Sequence, residues 1–99
     1  MVYQIIFKRR FQSKLEKLLV YIEQEFGLLV AKKFAGELEN KLSKIQRYPF
    51  IGQQSTPHKN VRSILFGNHN RFYYRIEEDK LIVLNMYDTR INPMKHKLK

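Results

Sequence analysis

Two apolar stripes at helical spacing, divided by one glycine, restrict the fold of this chain more than any other feature. Phe11, Leu15, Leu18, Leu19, Ile22 and Phe26 fall at i, i+4, i+7, i+8, i+11 and i+15, which is one face of an amphipathic helix. Gly27 suits the left-handed cap that ends such a helix. Val30, Ala31, Phe34, Leu38, Leu42 and Ile45 then repeat the spacing, until Pro49 pushes Tyr48 out of the helical region. Two long helices with so short a link must fold back on each other as an antiparallel hairpin.

The rest of the chain is patterned for strands. Residues 2–7 (VYQIIF) are β-branched and aromatic and read as a buried strand, which Lys8, Arg9 and Arg10 end. Residues 49–60 (PFIGQQSTPHKN) are rich in turn formers and read as a surface loop. Strands follow at 61–66, 71–77 and 80–87, with turns at Gly67–Asn70 and Glu78–Asp79. Such short connections make these three strands an antiparallel meander. The expected class is α+β: one strand, the helical hairpin, then the meander, with the helices packed on one face of the sheet. Phe72, Tyr74 and Ile76 alternate with Arg71, Tyr73 and Arg75, so the first set reads as core. In the last strand Ile82, Leu84 and Met86 read as core. Leu81, Val83, Asn85 and Tyr87 form a mixed opposite face.

At 99 residues, the chain is expected to be a single domain spanning 1–99, with a basic tail from about Met94 that is mobile without a partner. Nineteen Lys and Arg against nine Asp and Glu give a net charge of +10, a self-repulsion that points to a polyanionic partner. The densest patch runs from Asp88 to Lys99, with four basic groups, His96 and one acid. No cysteine is present, so disulfides and thiolate metal sites are excluded. The first ten residues hold an apolar run too short for a signal peptide or a membrane span, so the cytoplasm is the expected location and no membrane is an expected partner.

Of the chemistry these residues could do, RNA cleavage is the most demanding. The 2′-hydroxyl must lose a proton, the phosphorane needs positive charge, and the leaving 5′-oxygen needs a proton. Arginine meets the second need through its rigid charged fork and is poor at proton transfer. Arg62, Arg71, Arg75 and Arg90 are the arginines on or just after the sheet. Tyr73 and Tyr87 could stack on a base. Lys95 and His96 are the nearby groups able to move a proton. The plainer alternative is that these arginines are solvated sheet residues. His58, His69 and His96 each lack a second histidine or carboxylate at ligand spacing, so neither a metal nor any other cofactor is expected. Asp88 is expected to orient Arg90 or to cap the strand end. No serine has a partner pattern for nucleophilic catalysis, and no glycine-rich phosphate loop exists.

Taken in order, these residues resemble the RelE/ParE superfamily of toxins from bacterial type II toxin–antitoxin pairs. The features that carry the likeness are the initial strand, the long hairpin, Tyr48-Pro49-Phe50-Ile51-Gly52, Val61-Arg62-Ser63, Arg71-Phe72-Tyr73-Tyr74-Arg75 and Asp88-Thr89-Arg90. The Pro-x-x-Gly step and the Arg-x-x-Tyr-Arg pattern are similar to the plasmid-stabilisation, ParE-like branch. The resemblance implies a cognate acidic antitoxin, which would lay a helix or an added strand over apolar surface and basic groups together. It implies one of two modes of growth inhibition. ParE-like members inhibit DNA gyrase without chemistry of their own. RelE-like members cut messenger RNA on the ribosome; here Arg90, Arg62, Lys95 and His96 would be the catalytic groups. Arg71, Arg75, Tyr73 and Tyr87 would hold the target or the RNA. Leu65 and Phe66 stand where such a nuclease would want a cation, which favours the gyrase mode. A basic nucleic-acid-binding domain without toxicity is the third reading.

Overall fold

The computed structural model describes residues 3–55 and 60–90. The expectations placed on Lys95, His96 and the tail beyond Met94, and on His58 in the loop, lie outside the described residues. Strand β1 (Gln4–Phe7) leads into helix α1 (Arg9–Phe26) and helix α2 (Leu28–Arg47). A single 3-10 turn (Pro49–Ile51) follows, then β2 (Gln53–Gln54), β3 (Val61–Phe66), β4 (Asn70–Glu77) and β5 (Lys80–Asp88). Among the described residues, no helix is long and apolar enough to cross a membrane.

Gly27 alone links the helices, with φ +97° and ψ 165°, a backbone that L side chains rarely adopt. The beginning of α1 lies against the end of α2: Phe11, Leu15 and Leu19 share a groove with Ala35, Leu38 and Leu42. The hairpin is therefore antiparallel, as the spacing required. Its apolar stripe supplies Phe11, Leu38 and Ile45 to a core completed by Phe66, Phe72, Tyr74, Leu81, Val83 and Met86.

Two features of the sheet differ from the sequence reading. First, the sheet has five strands in the order β1-β5-β4-β3-β2 and is mixed. The meander is antiparallel as expected, but β1 pairs with β5 in parallel, from Gln4 opposite Lys80 to Phe7 opposite Val83. The hairpin is the crossover that such a parallel pair needs. The segment expected to be a surface loop supplies the fifth strand: Gln53 and Gln54 pair with Ser63 and Arg62.

Second, the faces of β5 exchange partway along. Tyr73 pairs with Asn85 and Tyr74 with Val83, leaving Leu84 as the extra residue of a β-bulge. Leu81 and Val83 therefore face the helices with Phe72 and Tyr74, and beyond the bulge Met86 does so too. Ile82 and Leu84, read from the sequence as the main core, instead join Val61 and Tyr73 in a second cluster on the opposite face. Strict alternation holds only for an unbroken ladder, and one extra residue inverts it.

Burial explains the Pro-x-x-Gly step. Tyr74 is completely buried, and its hydroxyl donates to the Pro49 carbonyl at 2.6 Å while accepting from the Gly52 N–H at 3.1 Å. A Cβ at Gly52 would lie 2.5 Å from that hydroxyl oxygen. Tyr74→Phe keeps the ring and strands two buried backbone groups, so it should cost about 1–3 kcal/mol in urea unfolding. Gly52→Ala should also destabilise, and the two losses should fall short of adding in the double variant, because both act on one contact. Wild-type stability in Tyr74→Phe would sink this account of the turn.

Candidate functional site

The sheet face turned away from the helices gathers four of the residues singled out from the sequence. Along β4, Arg71, Tyr73 and Arg75 stand opposite Tyr87, Asn85 and Ile82 of β5. On the other side they stand opposite Leu65, Ser63 and Val61 of β3. The Arg71 guanidinium donates to the Ser63 hydroxyl at 2.9 Å. Arg75 is paired with Glu77 at 2.7 Å. Tyr73 and Tyr87 meet edge to face, with ring centroids 5.8 Å apart. Burial raises the Tyr73 phenol above its usual pKa, with Arg71 opposing the shift and Tyr87 adding to it. The hydroxyl is thus less ready to give up a proton than a free tyrosine.

Asn85 and Lys14, neither singled out from the sequence, fix this site from beneath and from its edge. Asn85 is 1% exposed; its amide donates to the Tyr87 hydroxyl at 3.0 Å, and its carbonyl accepts from the Met86 N–H at 2.9 Å. Lys14 reaches over the part of β5 that β1 leaves unpaired. Its amine donates to the Met86 carbonyl at 3.1 Å and sits 4.0 Å above the centre of the Tyr87 ring. Partial burial, then repulsion from Arg10, lowers the Lys14 pKa. A buried asparagine and a lysine reaching from another element carry no pattern in one sequence. Lys14 does lie in the series Arg10, Lys14, Lys17 at i, i+4, i+7, and that stripe is the signal that could have found it.

The remaining candidates lie elsewhere. Arg62 is on the helix side of β3, donating to the carbonyls of Phe50 at 3.0 Å and Gly52 at 2.9 Å, with its guanidinium carbon 5.2 Å from the Phe50 ring centre. It braces the turn that Tyr74 holds. Arg90 shares a cavity of about 320 Å³ with Leu18, Ile22 and Phe26 of α1, Val30 of α2, and His69. Asp88 orients it as expected, through contacts of 3.0 and 2.6 Å, and also accepts the Arg90 N–H at 2.9 Å. Phe66, the second position where a cation was sought, is in the core, while Leu65 is exposed beside Arg71.

Residues 5–91 match the family described as the ParE toxin of the type II toxin-antitoxin system, parDE. No curated protein matches the chain in sequence. Among solved structures, it is similar to a chromosomal ParDE toxin–antitoxin system from P. aeruginosa, with a TM-score of 0.73 and 11% identity. That match covers 88% of this chain and 96% of the other. It is also similar to the RelBE2 toxin–antitoxin complex from Mycobacterium tuberculosis, with a TM-score of 0.64 and 20% identity over 89% of this chain and 99% of the other. At such identities the likeness to these structures is one of fold.

The pair at the end of β5 has a measurable signature. The Asp88 carboxyl is lowered from 3.8 to about 2, chiefly by the hydrogen bonds from the Arg90 side chain and backbone. Its folded pKa lies below its unfolded one, so the stability it adds is present above about pH 3.8 and is lost as pH falls through about 2. An NMR carboxyl titration should find Asp88 ionising well below an ordinary aspartate. Arg90→Ala should raise it part of the way towards 3.8, because the side-chain bonds go and the backbone N–H bond stays. An unchanged titration in that variant would refute the pairing.

Proposed function

The chain belongs to the ParE toxin family and is the toxin component of a type II toxin–antitoxin system, and from that premise we propose that it arrests growth by binding DNA gyrase rather than by cutting RNA. The observation that supports a non-cleaving mode is the divergence of the arginines. A nuclease would aim Arg62, Arg71, Arg75 and Arg90 at one phosphate. Arg71 and Arg75 project from the open face. Arg62 is held by turn carbonyls on the helix side, and Arg90 sits against the hairpin. Within the open face Leu65 takes the place of a cation, and burial makes the Tyr73 hydroxyl a poorer proton donor. The remaining features of that face, two half-buried tyrosines and an arginine over an apolar floor, are those of a contact surface for a protein.

A cognate acidic antitoxin is the second partner in this reading. The groove between the helices, about 330 Å³ and lined by Phe7, Leu15, Leu19, Ala35 and Leu42 among others, would accept an amphipathic helix. Among the described residues, strand β1 is at the sheet edge, where an added strand could pair. Both features lie beside the basic start of α1, where acidic side chains would find partners.

Two assays run together test the target. Purified chain at micromolar concentration should inhibit supercoiling by gyrase, and a translation reaction with the chain in excess should leave its message intact. Unimpeded supercoiling would remove the gyrase reading. A cut message with active gyrase would put the ribosome in its place.

A further inference from the structure

The first turns of α1 form a cationic groove that the open sheet face does not include. Lys8, Arg9, Arg10, Ser13, Lys14 and Lys17 line about 640 Å³ of space, and among the described residues no acidic or apolar side chain lines it. Arg9, Arg10, Ser13 and Lys17 are exposed. Arg10, Lys14 and Lys17 follow one face of the helix, and seven residues of helix rise about 10 Å. At its inner end the groove meets the open face, because the Lys14 amine that lines it also covers the Tyr87 ring. Tyr87 in turn contacts Tyr73 and stands directly opposite Arg71 of β4.

We infer that this groove binds the phosphodiester backbone of a single nucleic-acid strand, which continues onto Tyr73, Tyr87 and Arg71 of the sheet. Three polyanions could answer such a concentration of charge. A protein partner would need a desolvated apolar centre, and the groove has none. An anionic membrane surface is held by apolar side chains that dip into it, and none lies among these cations. A nucleic-acid strand needs neither. Its phosphates are bound by charge alone, through release of counterions, and its bases find aromatic rings beside the charge. Duplex would satisfy the cations and leave the tyrosines unused.

The inference shares Tyr73, Tyr87 and Arg71 with the proposed gyrase contact, so a strand and gyrase would compete for the open face. The assay contains no gyrase, so its outcome is read apart from that reading. Fluorescence anisotropy would follow the full chain binding a labelled oligothymidylate of about 20 nucleotides. With three phosphates neutralised, log affinity should fall against log salt with a slope of about −2, and removing one phosphate-binding cation should weaken binding about eightfold at about 50 mM salt. Arg9→Ala with Lys17→Ala should therefore weaken binding by more than about tenfold and flatten the slope. Lys33→Ala, an exposed cation on α2, should leave both unchanged. Oligouridylate of the same length should bind as oligothymidylate does, because the shared backbone is what the groove reads. No binding at low salt, a flat salt response, or an equal loss in Lys33→Ala would overturn the proposal. So would polyglutamate or phosphatidylserine vesicles binding as tightly as the oligonucleotide. Duplex of equal length bound as tightly as the single strand would refute the part assigned to the tyrosines.

Discussion

A phenol oxygen sealed inside an apolar core must find its hydrogen bonds there or destabilise the fold, and Tyr74 satisfies this in a way that fixes its surroundings. Its hydroxyl gives its proton to Pro49 and takes one from Gly52. The turn after α2 is thereby held against the centre of the sheet. Arg62 bonds two carbonyls of the same turn from the neighbouring strand, so three separate segments close on one another. The chain then leaves the turn already aligned with β3, which is why two residues, Gln53 and Gln54, are enough to pair as β2. The other end of α2 depends on Gly27 in the same sense, since the helices meet only if the chain reverses in one residue.

The bulge at Leu84 has an equally long reach. Without it, the alternation that buries Leu81 and Val83 would bury Asn85 and Tyr87 against the hairpin, and Met86 would face outwards. With it, Met86 returns to the core, and Asn85 and Tyr87 are set beside Tyr73 on the open face. The aromatic pair therefore exists because one strand is a residue longer than its partner between the two tyrosines of β4. Bulges often re-aim side chains at functional sites. Here the re-aimed tyrosine becomes the point where the sheet meets Lys14 of α1.

The helices, the meander and the core face of β4 were legible in the sequence because each is a repeat, and a repeat needs only local spacing to be read. Phe11 to Phe26, or Phe72 with Tyr74, declare their faces without knowledge of any other element. What could not be read depends on pairs far apart in the chain. The parallel match of β1 to β5 joins residues more than seventy positions apart, and no local pattern encodes it. The bulge is a property of two strands in register and not of either alone. Tyr74 was legible as a core residue, but its bond to Pro49 was not, and so the Pro-x-x-Gly step could be quoted as a likeness without its cause. For the site, Arg71, Tyr73 and Arg75 share one face as alternation along β4 required, whereas Tyr87 joins them only through the bulge, since alternation alone kept it with Leu81 and Val83. Arg62 and Arg90 were grouped with them because arginine invites the same role everywhere, whereas the fold gives these two to backbone carbonyls and to Asp88.

Net charge is likewise coarse without its distribution in the fold. A count of +10 treats every cation as available for a partner. Within the fold, Arg62 is occupied with the turn, Arg75 with Glu77, Arg90 with Asp88, and Lys14 with the Met86 carbonyl and the Tyr87 ring. Cations held in this way stabilise the chain locally and add little to long-range attraction where a carboxylate lies beside them. The groove at the start of α1 differs in its density of charge: Lys8, Arg9, Arg10, Lys14 and Lys17 line one space, and no carboxylate lines it among the described residues. In the sequence, Lys8, Arg9 and Arg10 read merely as the end of a strand. Their significance comes from the helix that begins there, which adds Lys14 and Lys17 from its next turns and turns a local break in hydrophobicity into a concentrated field. Such a field costs self-repulsion in the isolated chain, and a polyanion binding there relieves it. The groove and the open face are thus unlike in chemistry, one charged and one aromatic over an apolar floor, and Lys14 belongs to both.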